Sequence, residues 1–267
     1  MNDKQRDEID PTEIDGYVEF EFDLPAALLV RLIDVFSEVT AAPLSLQSTR
    51  DIPDEQGVYQ LFLDGELVYV GKTDGDAGLR SRLGRHSIKM LHRKGLDPTR
   101  VSYKAVRVFV FTAMDLEGDL IRHYGGVGEL AWNGSGFGSN DPGRKRDTTE
   151  VKPENFDAQY PIDFDLPLPV EIEEGEAAGD VVAKLKRVLP YTLRYQTAGG
   201  RSRKPHKDLA NTNLPALAGT PSARALLRHV VAGLPSGWHA TALPGYIIMY
   251  KNDKRNFPSG SRIATST

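Results

Sequence analysis

The chain has 267 residues, of which 40% are hydrophobic and 26% charged, and its formal net charge is -4. It contains no cysteine, which excludes disulfides, cysteine metal sites and thiol nucleophiles. No apolar run has the length of a transmembrane helix, and the acidic N-terminal residues do not resemble a secretion signal. The sequence therefore predicts a cytoplasmic protein with no membrane partner.

Charge is distributed unevenly along the chain. Residues 1–55 carry fourteen acidic residues against four basic ones, and residues 171–176 add four more acids. Residues 80–107, in contrast, carry nine Lys or Arg and two His against a single acid, Asp97. A basic stripe beside a cleft suits a polyanionic partner such as DNA. The negative net charge therefore does not argue against nucleic-acid binding.

An amphipathic helix is predicted over residues 23–39, within the acidic N-terminal stretch. Asp23 is a typical N-cap residue, and Pro25 in the first turn has the backbone angle that a helix start requires. The helix is expected either to pack on the following domain or to wrap a partner subunit.

A β-hairpin carries two tyrosines that are ten residues apart. The motifs Gly57-Val58-Tyr59 and Tyr69-Val70-Gly71-Lys72 lie in apolar, β-prone runs that flank Asp64-Gly65, a strong hairpin signal. Side chains alternate along a strand, so the tyrosines share a face only if the sum of paired residue numbers is even. A two-residue turn gives an odd sum, whereas a three-residue loop over residues 63–65 pairs Tyr59 directly with Tyr69. A three-residue loop, with both tyrosines on one face, is therefore predicted.

Three further elements follow the hairpin. Residues 79–91 show near-helical apolar spacing, and Arg82 and His86 stand four apart, so they project from one face of that helix. Residues 101–111 are predicted to form a third strand. Residues 114–124 are predicted to form a short helix with Glu117 in its first turn.

The residue types collected in this region suit hydrolysis of a phosphodiester. That reaction needs an oriented water, a cation that spreads the charge of the nonbridging oxygens, and help for the leaving oxygen. Glu117 supplies a carboxylate of the kind that holds Mg²⁺ together with waters and a substrate phosphate. Arg82 supplies a planar fork of donors that matches phosphate oxygens.

The remaining candidates would handle protons and geometry. Tyr59 is expected to position or deprotonate the water, and its reference pKa of about 10 would have to be lowered by a cation, for which Lys72 is near in sequence. Tyr69 and His86 are expected to bind the scissile phosphate or relay a proton. Asn133 is expected to lock the geometry by hydrogen bonds.

Each of these residues also has a purely structural interpretation. Paired tyrosines on a hairpin are usually packing residues, and Arg82 with His86 alone would be a solvated helix face. Glu117 would interact favourably with the dipole at the start of its helix, and Asn133 beside glycines would be a turn residue. The joint pattern favours catalysis, because all six residue types occur in a suitable order and spacing.

The joint pattern resembles the GIY-YIG nuclease superfamily. Within it, residues 20–163 resemble the type II restriction endonucleases that cut the palindrome CCGCGG. Val58 and Val70 stand where the name motif has isoleucine, a change that preserves strand packing. Besides the two tyrosine motifs, the resemblance rests on Leu79-Arg80-Ser81-Arg82-Leu83 with His86 and Lys89, and on Trp132-Asn133 followed by Gly136-Phe137-Gly138-Ser139-Asn140-Asp141-Pro142-Gly143-Arg144.

Membership would imply the GIY-YIG fold, an α+β structure with a central three-stranded antiparallel sheet flanked by helices. It would also imply a Mg²⁺-dependent homodimer, with Mn²⁺ as a substitute, that cuts both strands of double-stranded DNA, because a palindrome matches twofold symmetry. A cognate DNA methyltransferase would be its genetic partner. The functional residues carried over are Tyr59, Tyr69, Arg82, His86, Glu117 as metal ligand, and Asn133.

Six basic residues are predicted to contact DNA. Residues 134–146 are rich in glycine and end in a basic cluster, so their backbone can approach DNA while the cluster meets phosphates or guanine edges. Arg144 is the favoured base contact, and a flexible solvated loop is the alternative. The full set is Lys72, Arg80, Lys89, Arg144, Lys145 and Arg146.

The sequence predicts an acidic N-terminal arm with one helix (residues 1–50), a GIY-YIG nuclease domain (51–165) and a C-terminal region of mixed helix and strand (166–267). The Pro-rich, acidic residues 162–169 suggest the second boundary. In the C-terminal region, helices are expected over residues 180–189 and 221–232, and a strand over 246–250. A second basic run there, interleaved with tyrosines, is either an accessory DNA-binding or dimer-supporting element or a solvated surface.

Three classes of function follow. A type II restriction endonuclease that cuts a GC-rich palindrome is favoured by the resemblance and by the absence of a long helical linker. A homing or repair nuclease of the same superfamily would carry separate DNA-binding modules, for which only residues 170–267 are available. A non-catalytic DNA-binding module would have lost one of the six site residues, and none is lost.

Overall fold

The described part of the chain has a mixed α+β structure. In the computed structural model, the described residues are 16–18, 20–73, 77–109, 116–126, 128–138, 143–199 and 202–267. Over these ranges the chain forms two four-stranded sheets, one two-stranded sheet and eight α-helices. No helix within them is both long and apolar enough to cross a membrane. The α+β class predicted from the sequence is confirmed.

The N-terminal helix, α1 (Leu24–Glu38), forms where the sequence predicts it. The Asp23 side chain caps the helix by accepting a hydrogen bond from the Ala26 amide at 2.9 Å, which satisfies a backbone donor that a helix start leaves unpaired. Leu32 and Phe36 bury the apolar face of α1 against the first sheet. The expectation that this helix packs on the following region is confirmed.

The first sheet contains β1 (Ala42–Pro43), β2 (Gly57–Leu63), β3 (Glu66–Lys72) and β4 (Val101–Arg107), and a short helix, α2 (Leu46–Thr49), lies between β1 and β2. The strand order is β1-β4-β2-β3, and every neighbouring pair is antiparallel. Three strands were predicted, and β1 is an addition. Because proline has no N–H to give to a ladder, Pro43 is tolerated at this edge of the sheet.

The turn between β2 and β3 has two residues, so the predicted three-residue loop is wrong. Leu63 pairs directly with Glu66. The two residues between them, Asp64 and Gly65, both have positive φ angles, 53° and 86°. Two consecutive positive φ angles belong to the type of turn whose twist matches the strands of a hairpin.

A β-bulge in β3 then restores the predicted facing of the tyrosines. Val68 is an extra residue in the ladder, so Tyr69 pairs with Leu61 and Tyr59 pairs with Gly71. Beyond the bulge, the sum of the two residue numbers in each cross-strand pair is therefore even instead of odd. Tyr59 and Tyr69 therefore share a face, as predicted, although they are diagonal neighbours and not a direct pair.

Helices cover both faces of the first sheet. On the tyrosine-bearing face lies α3 (Leu79–Lys89), whose Leu83 is fully buried. On the opposite face, α1 and α4 (Leu116–His123) pack against Val58 and Val70. Glu117 lies in the first turn of α4, as predicted.

Element boundaries differ modestly from the predicted ones. The helix α3 ends at Lys89 instead of residue 91, and β4 ends at Arg107. Residues 110–111 of the predicted third strand and 114–115 of the predicted helix lie outside the described residues.

The C-terminal region has its own sheet and its own hydrophobic core. A short helix, α5 (Phe156–Gln159), precedes this region and packs in the first core through Phe156. The elements of the C-terminal region are β5 (Glu176–Ala177), α6 (Ala178–Val188), β6 (Thr192–Tyr195), α7 (Lys207–Asn211), β7 (Asn213–Leu214), α8 (Ala223–Gly233), β8 (Trp238–Leu243), β9 (Tyr246–Lys251) and β10 (Ser261–Thr265). The predicted helices and strand are confirmed as α6, α8 and β9, and the core extends from Ile162 to Ile263. The limits of the three predicted regions stay a prediction.

The second four-stranded sheet has the order β10-β8-β9-β6. Its β6 and β9 strands run parallel, and the other neighbouring pairs run antiparallel. The two short strands β5 and β7 pair separately.

A buried carboxylate joins residues 143–149 to this second sheet. Asp147 lies in a 3₁₀ turn and is fully buried. Its oxygens accept hydrogen bonds from the hydroxyls of Tyr246 at 2.9 Å and Tyr250 at 3.1 Å, and Arg194 forms an ion pair with it at 3.0 Å. Burying a charge is costly unless it is paired and hydrogen-bonded, and Asp147 meets both conditions.

Asp147→Ala is expected to lower the free energy of unfolding by about 3–5 kcal/mol, because it leaves a largely buried guanidinium without its carboxylate. The control is Asp51→Ala, which removes an exposed carboxylate paired with Arg50 and should change this free energy by less than about 1 kcal/mol. Urea unfolding followed by tryptophan fluorescence measures both variants. Equal effects of the two substitutions would contradict the role assigned to Asp147.

Candidate active site

Three aromatic side chains predicted to be functional are in contact beneath α3. The Tyr59 hydroxyl lies 2.8 Å from Nε2 of His86. The Tyr59 and Tyr69 ring centroids are 6.0 Å apart, and Tyr69 and His86 are 5.6 Å apart. All three residues are buried. The sheet supplies both tyrosines and the helix supplies His86, so the fold brings these three predicted site residues together.

Phe137 completes this aromatic cluster. Its ring stacks on His86 at 4.7 Å and meets the edge of Tyr69 at 5.1 Å. Phe137 lies within a glycine-rich motif, and no role for it was predicted from the sequence. The flanking Gly136 and Gly138 were the available signal, because a large apolar residue between two glycines is suited to close packing on a site.

The pairing register of the hairpin explains why position 71 is a glycine. Gly71 pairs with Tyr59 across the hairpin, and the Tyr59 ring lies over it. A Cβ atom at position 71 would lie 2.5 Å from the Tyr59 hydroxyl oxygen and 2.8 Å from the Tyr69 ring. Only the absence of a side chain therefore leaves room for the two phenols.

Arg82 and Glu117 supply opposite charges near both phenols. Arg82 lies on α3 and Glu117 on α4, and each influences the pKa of Tyr59 and of Tyr69. Both are half-buried. The Nε of Arg82 is buried and has no hydrogen-bond partner among the described residues. Since buried donors are nearly always paired, this N–H is a candidate contact for a bound anion.

An open cavity of about 740 Å³ adjoins these groups. Tyr69, Glu117 and Asn133 line it, together with the predicted DNA contact Arg146. A second hollow, of about 240 Å³, is lined by Arg82 and His86. Phe137 and Gly138 line both hollows. Five of the six predicted catalytic residues thus line two hollows that share wall residues, while Tyr59 is buried behind them.

Burial controls the protonation states of the aromatic cluster. It raises the pKa of Tyr59 well above its usual value; the neighbouring Tyr69 adds to the rise and Arg82 opposes it. Burial and the charge of Glu117 raise the pKa of Tyr69. Burial, with smaller contributions from nearby cations, lowers the pKa of His86 to about 3. Near neutral pH, both phenols are therefore protonated and the imidazole is uncharged.

The expected effect of Lys72 on Tyr59 is wrong. The pKa of Tyr59 is raised instead of lowered, and Arg82 is the cation that opposes the rise. Lys72 pairs with Val58 in the ladder, so strand alternation puts it on the face opposite Tyr59.

Asn133 holds the edge of the first sheet. Its Oδ1 accepts a hydrogen bond from the Val70 amide, and its Nδ2 donates one to the Val70 carbonyl, each at 2.9 Å. The Trp132 amide donates to the Val68 carbonyl at 2.9 Å. Since β3 is an edge strand, these bonds satisfy backbone groups that the ladder leaves open. The expectation that Asn133 locks the geometry by hydrogen bonds is confirmed.

Lys89 supports the loop over the site. Its ammonium donates to the backbone carbonyls of Phe137 and Gly136. Burial lowers the pKa of Lys89 to about 8. These contacts give Lys89 a structural role, and its predicted contact to DNA stays a prediction.

The other predicted DNA contacts are spread over a wider surface. Arg80 is exposed and lies 3.8 Å from Asp54, whereas Lys72 is half-buried. Arg144 stacks on the Tyr250 ring of the second sheet at 4.5 Å, away from the Glu117 cavity. Lys145 is exposed. Among residues 144–146, Arg146 lies at that cavity, although Arg144 was the favoured base contact.

The donor atoms at the site fit a hard cation held by few protein ligands. No group of three or more His, Cys, Asp or Glu residues among the described residues is arranged to hold a metal ion. Glu117 offers a carboxylate at a cavity with room for water. A single carboxylate with waters and a substrate phosphate is a common arrangement for Mg²⁺, so these residues fit that ion.

The chain matches no family model and no curated protein at a significant level of sequence similarity. The chemistry of the site therefore carries the functional argument.

Gly71→Ala is expected to reduce any activity of this site by about 100-fold, because the new Cβ would overlap the Tyr59 hydroxyl oxygen and displace it. Gly84→Ala is the matched control, since a Cβ there makes an ordinary 3.5 Å contact with Leu46 and the helix gains propensity. Turnover of both variants is compared at equal folded fraction, measured by circular dichroism. Full activity of Gly71→Ala would contradict the packing described for the phenols.

The free energy of unfolding is expected to fall as pH is lowered from about 6.5 towards 3, in part because of His86. In the unfolded chain His86 binds a proton below about 6.5, whereas in the folded protein its pKa is about 3. The unfolded state therefore binds more protons across this window, which favours unfolding. Urea unfolding of the wild type and His86→Asn at several pH values should show a shallower dependence for the variant, and identical dependences would contradict a buried neutral His86.

Proposed function

We propose that this protein is an endodeoxyribonuclease with a GIY-YIG type of site, which hydrolyses phosphodiester bonds of double-stranded DNA. The observation that carries the proposal is the convergence of Tyr59, Tyr69 and His86 in ring contact while Arg82 and Glu117 exert their charges on both phenols. A packing cluster would not need an arginine and a glutamate whose charges act on two buried phenols beside an open cavity.

Arg82 is assigned to the scissile phosphate. Its buried Nε lacks a partner among the described residues, and a planar guanidinium matches two phosphate oxygens at once. An anion bound here would satisfy this donor.

The Tyr59–His86 pair is assigned to proton removal from the attacking water. A neutral imidazole that accepts at Nε2 allows the Tyr59 hydroxyl to donate across their 2.8 Å contact. As water attacks phosphorus, its proton passes to the Tyr59 oxygen and the Tyr59 proton passes to His86. The bound phosphate favours the imidazolium that forms, because a nearby negative charge raises a histidine pKa.

Glu117 is assigned to metal binding. When Mg²⁺ is bound, with Mn²⁺ as a substitute, it neutralises charge on the nonbridging oxygens and assists departure of the leaving oxygen. The chain's own contribution is the carboxylate of Glu117, fixed by α4 at the edge of the cavity that Tyr69 also lines.

Within this class, we favour a type II restriction endonuclease over a homing or repair nuclease or a non-catalytic binding module. The resemblance of residues 20–163 to enzymes that cut CCGCGG supports this branch, and with it a homodimer and a cognate methyltransferase. The close packing of residues 143–149 on the second sheet through Asp147 supports one compact enzyme over detachable modules.

Glu117→Ala is expected to bind DNA but to lose at least about 100-fold in cleavage rate, because charge stabilisation of the transition state is lost. Plasmid DNA carrying CCGCGG is incubated with Mg²⁺, and the cut ends are mapped. Fixed fragments with one recognition sequence support restriction, whereas sparse cutting at long sites supports a homing enzyme.

The matched control is Asp119→Ala, which removes another carboxylate from the first turn of α4. It should retain cleavage, since Asp119 pairs with Arg122 on the same helix. No cleavage by the wild type with Mg²⁺ or Mn²⁺, or full turnover of Glu117→Ala, would overturn the proposed nuclease site.

A further inference from the structure

The C-terminal region contains a basic and aromatic cavity that the proposed chemistry does not use. Its volume is about 700 Å³. No acidic residue is found among the described residues that line it. The lining includes four basic residues and two tyrosines, namely Arg144, Lys186, Arg194, Arg203, Tyr195 and Tyr250.

The charges in this cavity differ in how they are held. Arg194 is ion-paired with buried Asp147, and Arg144 stacks on Tyr250 at 4.5 Å. Both therefore help to build the wall. Lys186 and Arg203 are exposed, and the Lys186 ammonium lies 5.7 Å from the centre of the Tyr195 ring. Neither side chain is ion-paired with Asp147, so both can be removed without breaking that buried cluster.

Neighbouring hollows with shared wall residues lie between this cavity and the candidate active site. Lys186 lines the cavity and also a cleft of about 410 Å³. Arg146 lines that cleft and the cavity that contains Glu117. Basic side chains therefore occur along the path from the C-terminal region to Glu117, together with three acidic ones, Asp157, Glu150 and Glu154.

We propose that this path holds the backbone of duplex DNA, and that the C-terminal cavity is a phosphate-contacting site which anchors the duplex beyond the cleavage point. The proposal rests on the proposed nuclease function and gives the C-terminal region its role. Besides its charges, the cavity presents Gln196, Thr197 and Ser202. Side chains of these types, with Arg, Lys and Tyr, make most protein contacts to DNA phosphates, and such contacts position a protein without reading sequence.

The test compares two double variants that remove the same charge. Lys186→Ala/Arg203→Ala removes two exposed cavity charges, whereas Arg187→Ala/Lys204→Ala removes their exposed sequence neighbours, which do not line the cavity. Both are made in the Glu117→Ala background. Binding of a fluorescent duplex is measured without Mg²⁺ by anisotropy, over about 50–200 mM salt.

The slope of log affinity against log salt reports the number of neutralised phosphates. For the cavity variant the slope should become shallower by about 2, one for each lost contact, while the control keeps the parental slope. Equal slopes for both variants, or no DNA binding by the parent, would overturn the proposal. Plasmid cleavage by the wild type is measured separately. If the wild type cuts DNA but the two variants have equal salt slopes, only the proposed anchoring site is overturned and the nuclease function stands.

Discussion

The extra residue at Val68 is the constraint on which the candidate site depends. With the two-residue turn at Asp64 and Gly65, an unbroken ladder would direct the two tyrosines to opposite faces of the sheet. The bulge brings Tyr69 to the face of Tyr59, where both meet His86 from the helix above. The roles proposed for Tyr59 and Tyr69 as a pair therefore depend on the β-bulge at Val68.

The same burial that packs the aromatic cluster also sets its chemistry. Removal from water favours the neutral forms of Tyr59, Tyr69 and His86, so the cluster carries no charge of its own near neutral pH. Charge enters from Arg82 and Glu117, which reach the cluster from helices on the two faces of the sheet. The charges that act on the two phenols therefore come from outside the aromatic cluster.

Sequence reasoning succeeded where the signal was local. The Asp23 cap, the near-helical spacing of α3 and the position of Glu117 in a first turn all depend on residues within a few positions of one another. The residues that meet at the site could also be identified from the sequence, because the resemblance rests on their order along the chain.

It failed where distant segments decide the outcome. The bulge forms where Trp132 and Asn133, far along the chain, bond to β3. The positions of Lys89 and Arg144 also depend on distant segments, the Phe137 loop and the second sheet, while their contacts to DNA stay a prediction. No periodicity of the sequence encodes such encounters.

The covering of β3 by Trp132 and Asn133 also limits how two copies of the chain can associate. An uncovered outer strand is a template on which a second molecule can continue the sheet. Here the carbonyl of Val68 and both backbone groups of Val70 are already bonded within the chain. Self-association by strand addition is blocked along this stretch, so a twofold assembly must use helices, loops or another margin of the molecule.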